Sequence, residues 1–214
     1  GNLPTAINYY KQVFSHNPNA IEAQAALTAL EEIYVDDLSK PDEYFAFLET
    51  VPGYSVEEDE KEAINFKTAE SQYENGNYEK AITAYTNYLR KYPRGRNLLT
   101  AYYHRGESHG VLKQYTEALA DYEFVIQKGP SRYYGKALQK AAIIAYNFSQ
   151  DFTKAFDLYT QLEKAAQDDD TRFEAQLGAL RSAYRSNNSA AVPRLADAVA
   201  NPATSTDGQK AAAR

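Results

Sequence analysis

The chain has 214 residues, 43% of them apolar and 24% charged, a composition that supports a packed core and excludes disordered and fibrous classes. No apolar run approaches the ~20 residues needed to cross a bilayer, AAIIAY at 141–146 being among the longest. A formal net charge of −6 disfavours a nucleic-acid partner, and the absence of Cys excludes disulfides, thiolate metal sites and Cys nucleophiles.

The charge is uneven. Residues 1–80 hold 5 Lys/Arg against 16 Asp/Glu, residues 81–140 hold 10 against 4, and residues 141–214 hold 8 against 9. A leading Gly1 and the lack of any Met suggest an excised segment of a longer protein.

In chain order, Ala6, Tyr10 and Pro18 read as the second helix of a helix pair. Residues 20–52 read as a degenerate pair. Ala23, Ala26, Leu27, Leu30 and Tyr34 share one helix, and Tyr44, Phe45, Phe47, Leu48 and Val51 the next. The stretch VPGYSVEEDEK at 51–61 then interrupts the rhythm. It is either a hinge or a solvated acidic loop (53–61) that ends in a capping box, Ser55…Glu58.

From there the chain repeats itself, GNYEKAITAYTNYLRKYP at 76–93 against KQYTEALADYEFVIQKGP at 113–130. Ala81, Ala118 and Ala155 fall 37 residues apart, each followed four residues later by Tyr85, Tyr122 and Tyr159, which marks one helical face written three times. Tyr78, Tyr115 and Phe152 open these helices, preceded by Asn77, Gln114 and Asp151 as turn or cap residues. Pro93 and Pro130 close two of them.

Partner helices are expected at about 60–74, 99–112, 136–149 and 171–185, with Gly106 and Gly178 where two helices approach closely. The spacing thus predicts four pairs at 62–93, 99–130, 136–167 and 171–202, and the start of a further one at 203–214. Pro193 fits only the first turn of its helix, where N–H groups lack intrahelical partners.

This pattern resembles the tetratricopeptide repeat family, most closely over 99–130 through Tyr102, Gly106, Tyr115, Ala118, Tyr122 and Pro130. The resemblance implies an all-α, right-handed superhelical solenoid of antiparallel helix pairs. The 37-residue spacing and the helix end NYLRKYPRG look narrower still, like the extended repeats of bacterial periplasmic and outer-membrane assembly proteins. That likeness implies the cell envelope, with the cytoplasm as the alternative and a lipid anchor outside this chain left open.

Catalytic chemistry finds no seat in the sequence. His104 and His109 stand about 140° apart around a helix and cannot share a metal ion, and His16 is remote in sequence. His104 and Glu107 share a face as an ordinary surface pair, and no phosphate loop, nucleophile elbow or HExxH run occurs. Asp168, Asp169 and Asp170 lack the spacing of a calcium loop and stand where a helix start favours acid. No catalytic residue, cofactor or metal is expected.

The family resemblance places a partner's binding surface on the first helices, predicting exposure of Phe66, Glu70, Tyr73, Tyr103, Glu107, Lys140, Ile144, Asn147, Arg172, Gln176 and Ala179. Mixed aromatic and polar groups suit a protein or peptide partner. Lys140 and Arg172 alone do not rebuild the carboxylate clamp of the chaperone-binding members. A second expected surface is a basic ridge of Lys91, Arg94, Arg96, Lys128 and Arg132 on the inter-repeat turns, suited to an acidic partner segment, residues 57–60 of a second copy or anionic headgroups. The expected function is a non-enzymatic protein-binding scaffold. The alternatives are a spacer or self-assembly module and, less favoured, part of an enzyme whose catalytic domain lies elsewhere.

Overall fold

The computed structural model describes residues 2–200. Within that range the regular elements are all helical: α1 (Leu3–Val13), α2 (Ala20–Glu31), α3 (Pro41–Leu48), α4 (Glu58–Glu74), α5 (Tyr78–Lys91), α6 (Leu98–Val111), α7 (Tyr115–Gln127), α8 (Tyr134–Asn147), α9 (Phe152–Ala165), α10 (Asp169–Arg185) and α11 (Val192–Ala200). α1 packs on α2 and α4 on α5, and further along α7, α8, α9, α10 and α11 each pack on the next, so the fold is a succession of antiparallel helix pairs. The last of the expected segments, 203–214, lies outside the described residues.

The described residues divide into two compact units, one running up to Ser108 and one from His109 onward. In the first, Leu27, Leu30, Tyr34, Val35, Tyr44, Phe45, Leu48 and Ile64 form one core between α2, α3 and α4. Ala69, Ala81, Tyr85, Tyr88, Leu89 and Ala101 form a second, between α4, α5 and α6. In the second unit α8 turns Ala137, Leu138, Ala141, Ala142 and Ala145 fully inward, and Ala179, Ala183 and Leu195 join α10 to α11. Small residues at these seams let the helix axes approach closely.

Caps start several helices where the sequence supplies them. Asn19 and Glu22 form a reciprocal capping box at α2, Asp151 accepts from Lys154 N–H at 2.9 Å at α9, and Asp168 accepts from Thr171 N–H at 2.7 Å at α10. The Ser55…Glu58 box does not form. Glu58 is the first residue of α4, not the third, so its side chain joins Asp59 and Glu60 as acid in the first turn, next to the helix's positive end. Residues 51–57 lie inside the first unit, with Val51 in its core. Pro193 sits in the first turn of α11.

Each turn from a first helix to its second holds one residue in the left-handed region: Ser39, Gly76, Lys113, Gln150 and Asn187. These positions stand 37 residues apart, including the degenerate pair, where a π-helical stretch at 32–37 precedes Ser39. There Leu38 N–H reaches Ile33 O at 2.9 Å, and Gln72 of α4 donates to Asp36 O at 2.8 Å.

Candidate interaction surface

In the first unit the first helices stand side by side. Lys67 on α4 donates to Glu31 at the end of α2 at 2.9 Å, and its ammonium is held protonated above its usual range chiefly by that bond. Between α4 and α6, Tyr73 donates to Glu107 Oε2 at 2.8 Å, and His104 Nδ1 lies 2.8 Å from Glu70 Oε1. The Tyr85 hydroxyl also donates to Glu70.

The His104 ring stacks on Tyr73 with centroids 4.4 Å apart and planes 4° from parallel. Tyr103 adds a second bond to Glu107, on Oε1 at 3.3 Å. Burial, then the bond to Glu107, pushes the Tyr73 phenol well above its ordinary pKa. Two carboxylates, a histidine and three tyrosines are thus fixed in one network on α4, α5 and α6.

The structure corrects several expected groove positions. Tyr103 is 4% exposed, Ile144 6%, Gln176 8% and Ala179 0%, so none offers a free side chain. Phe66 is half-buried against Tyr88, ring centroids 5.3 Å apart, and Tyr73 is half-buried in the network above. Glu70 and Glu107 are partly accessible, while Lys140 and Asn147 are exposed. Arg172 bonds Asp169 at 2.7 Å and the Ala166 carbonyl at 3.2 Å, which closes the end of α9.

The physical reason is helical phase. The buried residues of α4 are Ile64, Asn65, Thr68, Ala69 and Gln72, and the direction opposite them runs through Ala63, Lys67, Glu70 and Glu74. On α8 the open stripe is Lys136, Lys140, Ile143 and Asn147, and on α10 it passes through Glu174 and Arg181. Gln139 of α8 donates to Glu174 of α10 at 3.2 Å, so these first helices also stand side by side. The missed residues had a signal, since small residues such as Ala69, Ala141 and Ala179 mark the packed face and the open face is its opposite.

The basic ridge is not a row of free cations. In the first unit Lys91 pairs with Asp42, and Arg96 pairs with Asp59. The Arg96 N–H also donates to Glu62 Oε1 at 2.7 Å, and Arg94 is exposed. The acidic stretch at 57–60 therefore meets the ridge within its own chain. In the second unit Lys128 lies 4.9 Å over the Phe124 ring and Arg132 4.6 Å over Tyr133.

Residues 62–94 match the tetratricopeptide repeat family. The matched tetratricopeptide segment is α4, α5 and the turn after them, which carry Glu70, Tyr73 and Tyr85 of the network. No curated protein sequence matches the chain significantly.

Solved structures give the fold. The TPR-like repeats of a kinesin light chain candidate from Podosopora anserina superpose with a TM-score of 0.52 at 14% identity, over 85% of this chain and 95% of that one. BtubC (BKLC) from P. vanneervenii gives 0.54 at 12% identity, over 96% and 90%. MamA from Desulfovibrio magneticus RS-1 gives 0.51 at 16%, over 85% and 95%. The chain is an all-α protein of TPR-like helix-pair fold, in which residues 62–94 are similar to the tetratricopeptide repeat family.

Proposed function

We propose that this protein is a non-enzymatic scaffold that binds a segment of a partner protein on the open faces of its first helices. The observation that carries the reading is the row of first helices in the first unit. Lys67–Glu31 joins α4 to α2, and Tyr73–Glu107 joins α4 to α6. Their open stripes therefore lie next to one another. Because the aromatic and carboxylate groups are already fixed by hydrogen bonds, a bound segment would not have to order them.

The narrower likeness to envelope assembly proteins is part of the same proposal, supported by left-handed turn residues at 37-residue intervals. It assigns the protein to the periplasm, which fractionation of the source cells tests directly.

The scaffold reading is tested by placing a photo-crosslinking amino acid at Ala63 or Glu74 on the open face of α4, and at Thr83 or Asn87 on the outer face of α5. All four side chains are exposed. The expected outcome is a discrete adduct from the α4 positions and none from α5. Equal adducts from both faces, or none from either, would refute the first-helix surface. Adducts only between copies of this chain would make it a self-assembly module.

A further inference from the structure

A cavity of about 730 Å³ opens in the second unit between the first turn of α8, the last turn of α9 and the loop into α10. It lies at the helix ends, and of the open stripes of the first helices it takes in only Lys136, in the first turn of α8. Three cationic side chains line it: Arg132, Lys136 and Lys164. Lys136 and Lys164 are exposed and have no ion-pair partner among the described residues.

One carboxylate, Asp168, lines the cavity, and Asp169, Asp170 and Glu163 stand beside its lining residues in sequence. Asp168 accepts both Thr171 N–H at 2.7 Å and Thr171 Oγ1–H at 2.8 Å, and these bonds hold its carboxyl below the usual range. Asp169 is taken by Arg172 at 2.7 Å, and Glu163 by Gln176 at 3.0 Å and Arg194 at 3.3 Å. The N-terminal partial positive charge of α8 and the C-terminal partial negative charge of α9 meet at the cavity and offset one another, so its sign is set by the side chains. The cavity is thus left with a surplus of cations in a chain whose net charge is −6.

We propose that this cavity binds an acidic peptide segment of a partner protein, with Lys136 and Lys164 receiving its Asp or Glu carboxylates. Its volume far exceeds one carboxylate or phosphate, and its lining includes an apolar part, Leu162, Ala165 and Ala166, that forms its floor in this proposal. A free small anion would leave that floor wet, whereas a peptide covers it with side-chain carbon while its carboxylates meet the rim. The site goes beyond the scaffold surface proposed above, and either can fail alone.

The test is fluorescence anisotropy on the full chain, with a fluorescein-labelled peptide of alternating Glu and Ala and a Lys-Ala peptide as counterpart. The Glu-Ala peptide should bind and the Lys-Ala peptide should not. Lys136→Glu/Lys164→Glu should weaken binding by roughly tenfold or more, and Lys136→Gln/Lys164→Gln by less, through loss of attraction without added repulsion. Lys80→Glu/Lys113→Glu, the same charge change elsewhere, should leave it within about twofold.

Equal losses in the cavity and control variants would reduce the binding to general electrostatics and overturn the site, as would no loss in either. Displacement of the peptide by an equal concentration of inorganic phosphate would also overturn the peptide assignment, leaving a small-anion site.

Discussion

Tyr88 is fully buried, yet its hydroxyl is bonded on both sides. It donates to Glu62 Oε1 at 2.8 Å and accepts from Asn97 N–H at 3.2 Å. Glu62 in turn accepts from Arg96 N–H, so one phenol fastens the turn after α5 to α4. Tyr88→Phe removes the acceptor of Asn97 while Glu62 keeps another donor, and should cost about 1–3 kcal/mol in urea unfolding. Gly178 poses the opposite problem, one of space: a Cβ there would lie 2.5 Å from Tyr159 Cε1. Gly178→Ala should lower stability by about 1–3 kcal/mol, with Tyr159→Ala in the same chain recovering part of the overpacking term. This close approach was legible in the sequence, from a glycine one repeat's face away from an aromatic.

At the scale of the element, the second helices read clearly because their markers have a single cause. An Ala with a Tyr four residues on is a face pressed against a neighbour, and Ala81, Ala118 and Ala155 are all fully buried. First helices read less well. On α4, Ile64, Phe66, Ala69 and Tyr73 lie around more than half the circumference, so apolar character does not fix the phase, and an aromatic at 73 or 103 passes for an exposed anchor. Its hydroxyl bonds to Glu107 come from a different helix or a different turn, which periodicity does not show. The turns separate local strain from capping. Gln150 holds φ 53°, a conformation that costs a side chain about 1–2 kcal/mol, while glycine loses about 0.5–1 kcal/mol of chain entropy. Gln150→Gly should therefore raise stability by about 0.5 kcal/mol, and Asp151→Ala, one residue on, should lower it by about 1 kcal/mol through loss of the α9 cap. Paired thermal melts of the two variants check both signs.

For the whole molecule, the 19 tyrosines make alkali the informative denaturant. Burial, then the carboxylates of Glu31 and Glu60, push Tyr44 up to about 12, and burial likewise raises Tyr73, Tyr88, Tyr92 and Tyr159 above their ordinary value. A phenol with a folded pKa above its unfolded value of ~10 stabilises the fold fully below that pH and loses its contribution as pH rises through the folded pKa. The helix content should thus hold through pH ~10, where an unperturbed phenol ionises. In a near-ultraviolet titration Tyr44 and the other raised phenols should ionise in a late step that coincides with loss of helix as the pH approaches about 12. Smooth titration of all of them with helicity intact would contradict the buried network. The evenly placed left-handed residues bear on descent as well as on folding. Since Gly76, Lys113, Gln150 and Asn187 stop the chain in one backbone state, a gene that lost or gained the DNA between two of them would join one sound turn to another. Recombination at these points changes how many copies a lineage carries without ever requiring a new turn to be invented.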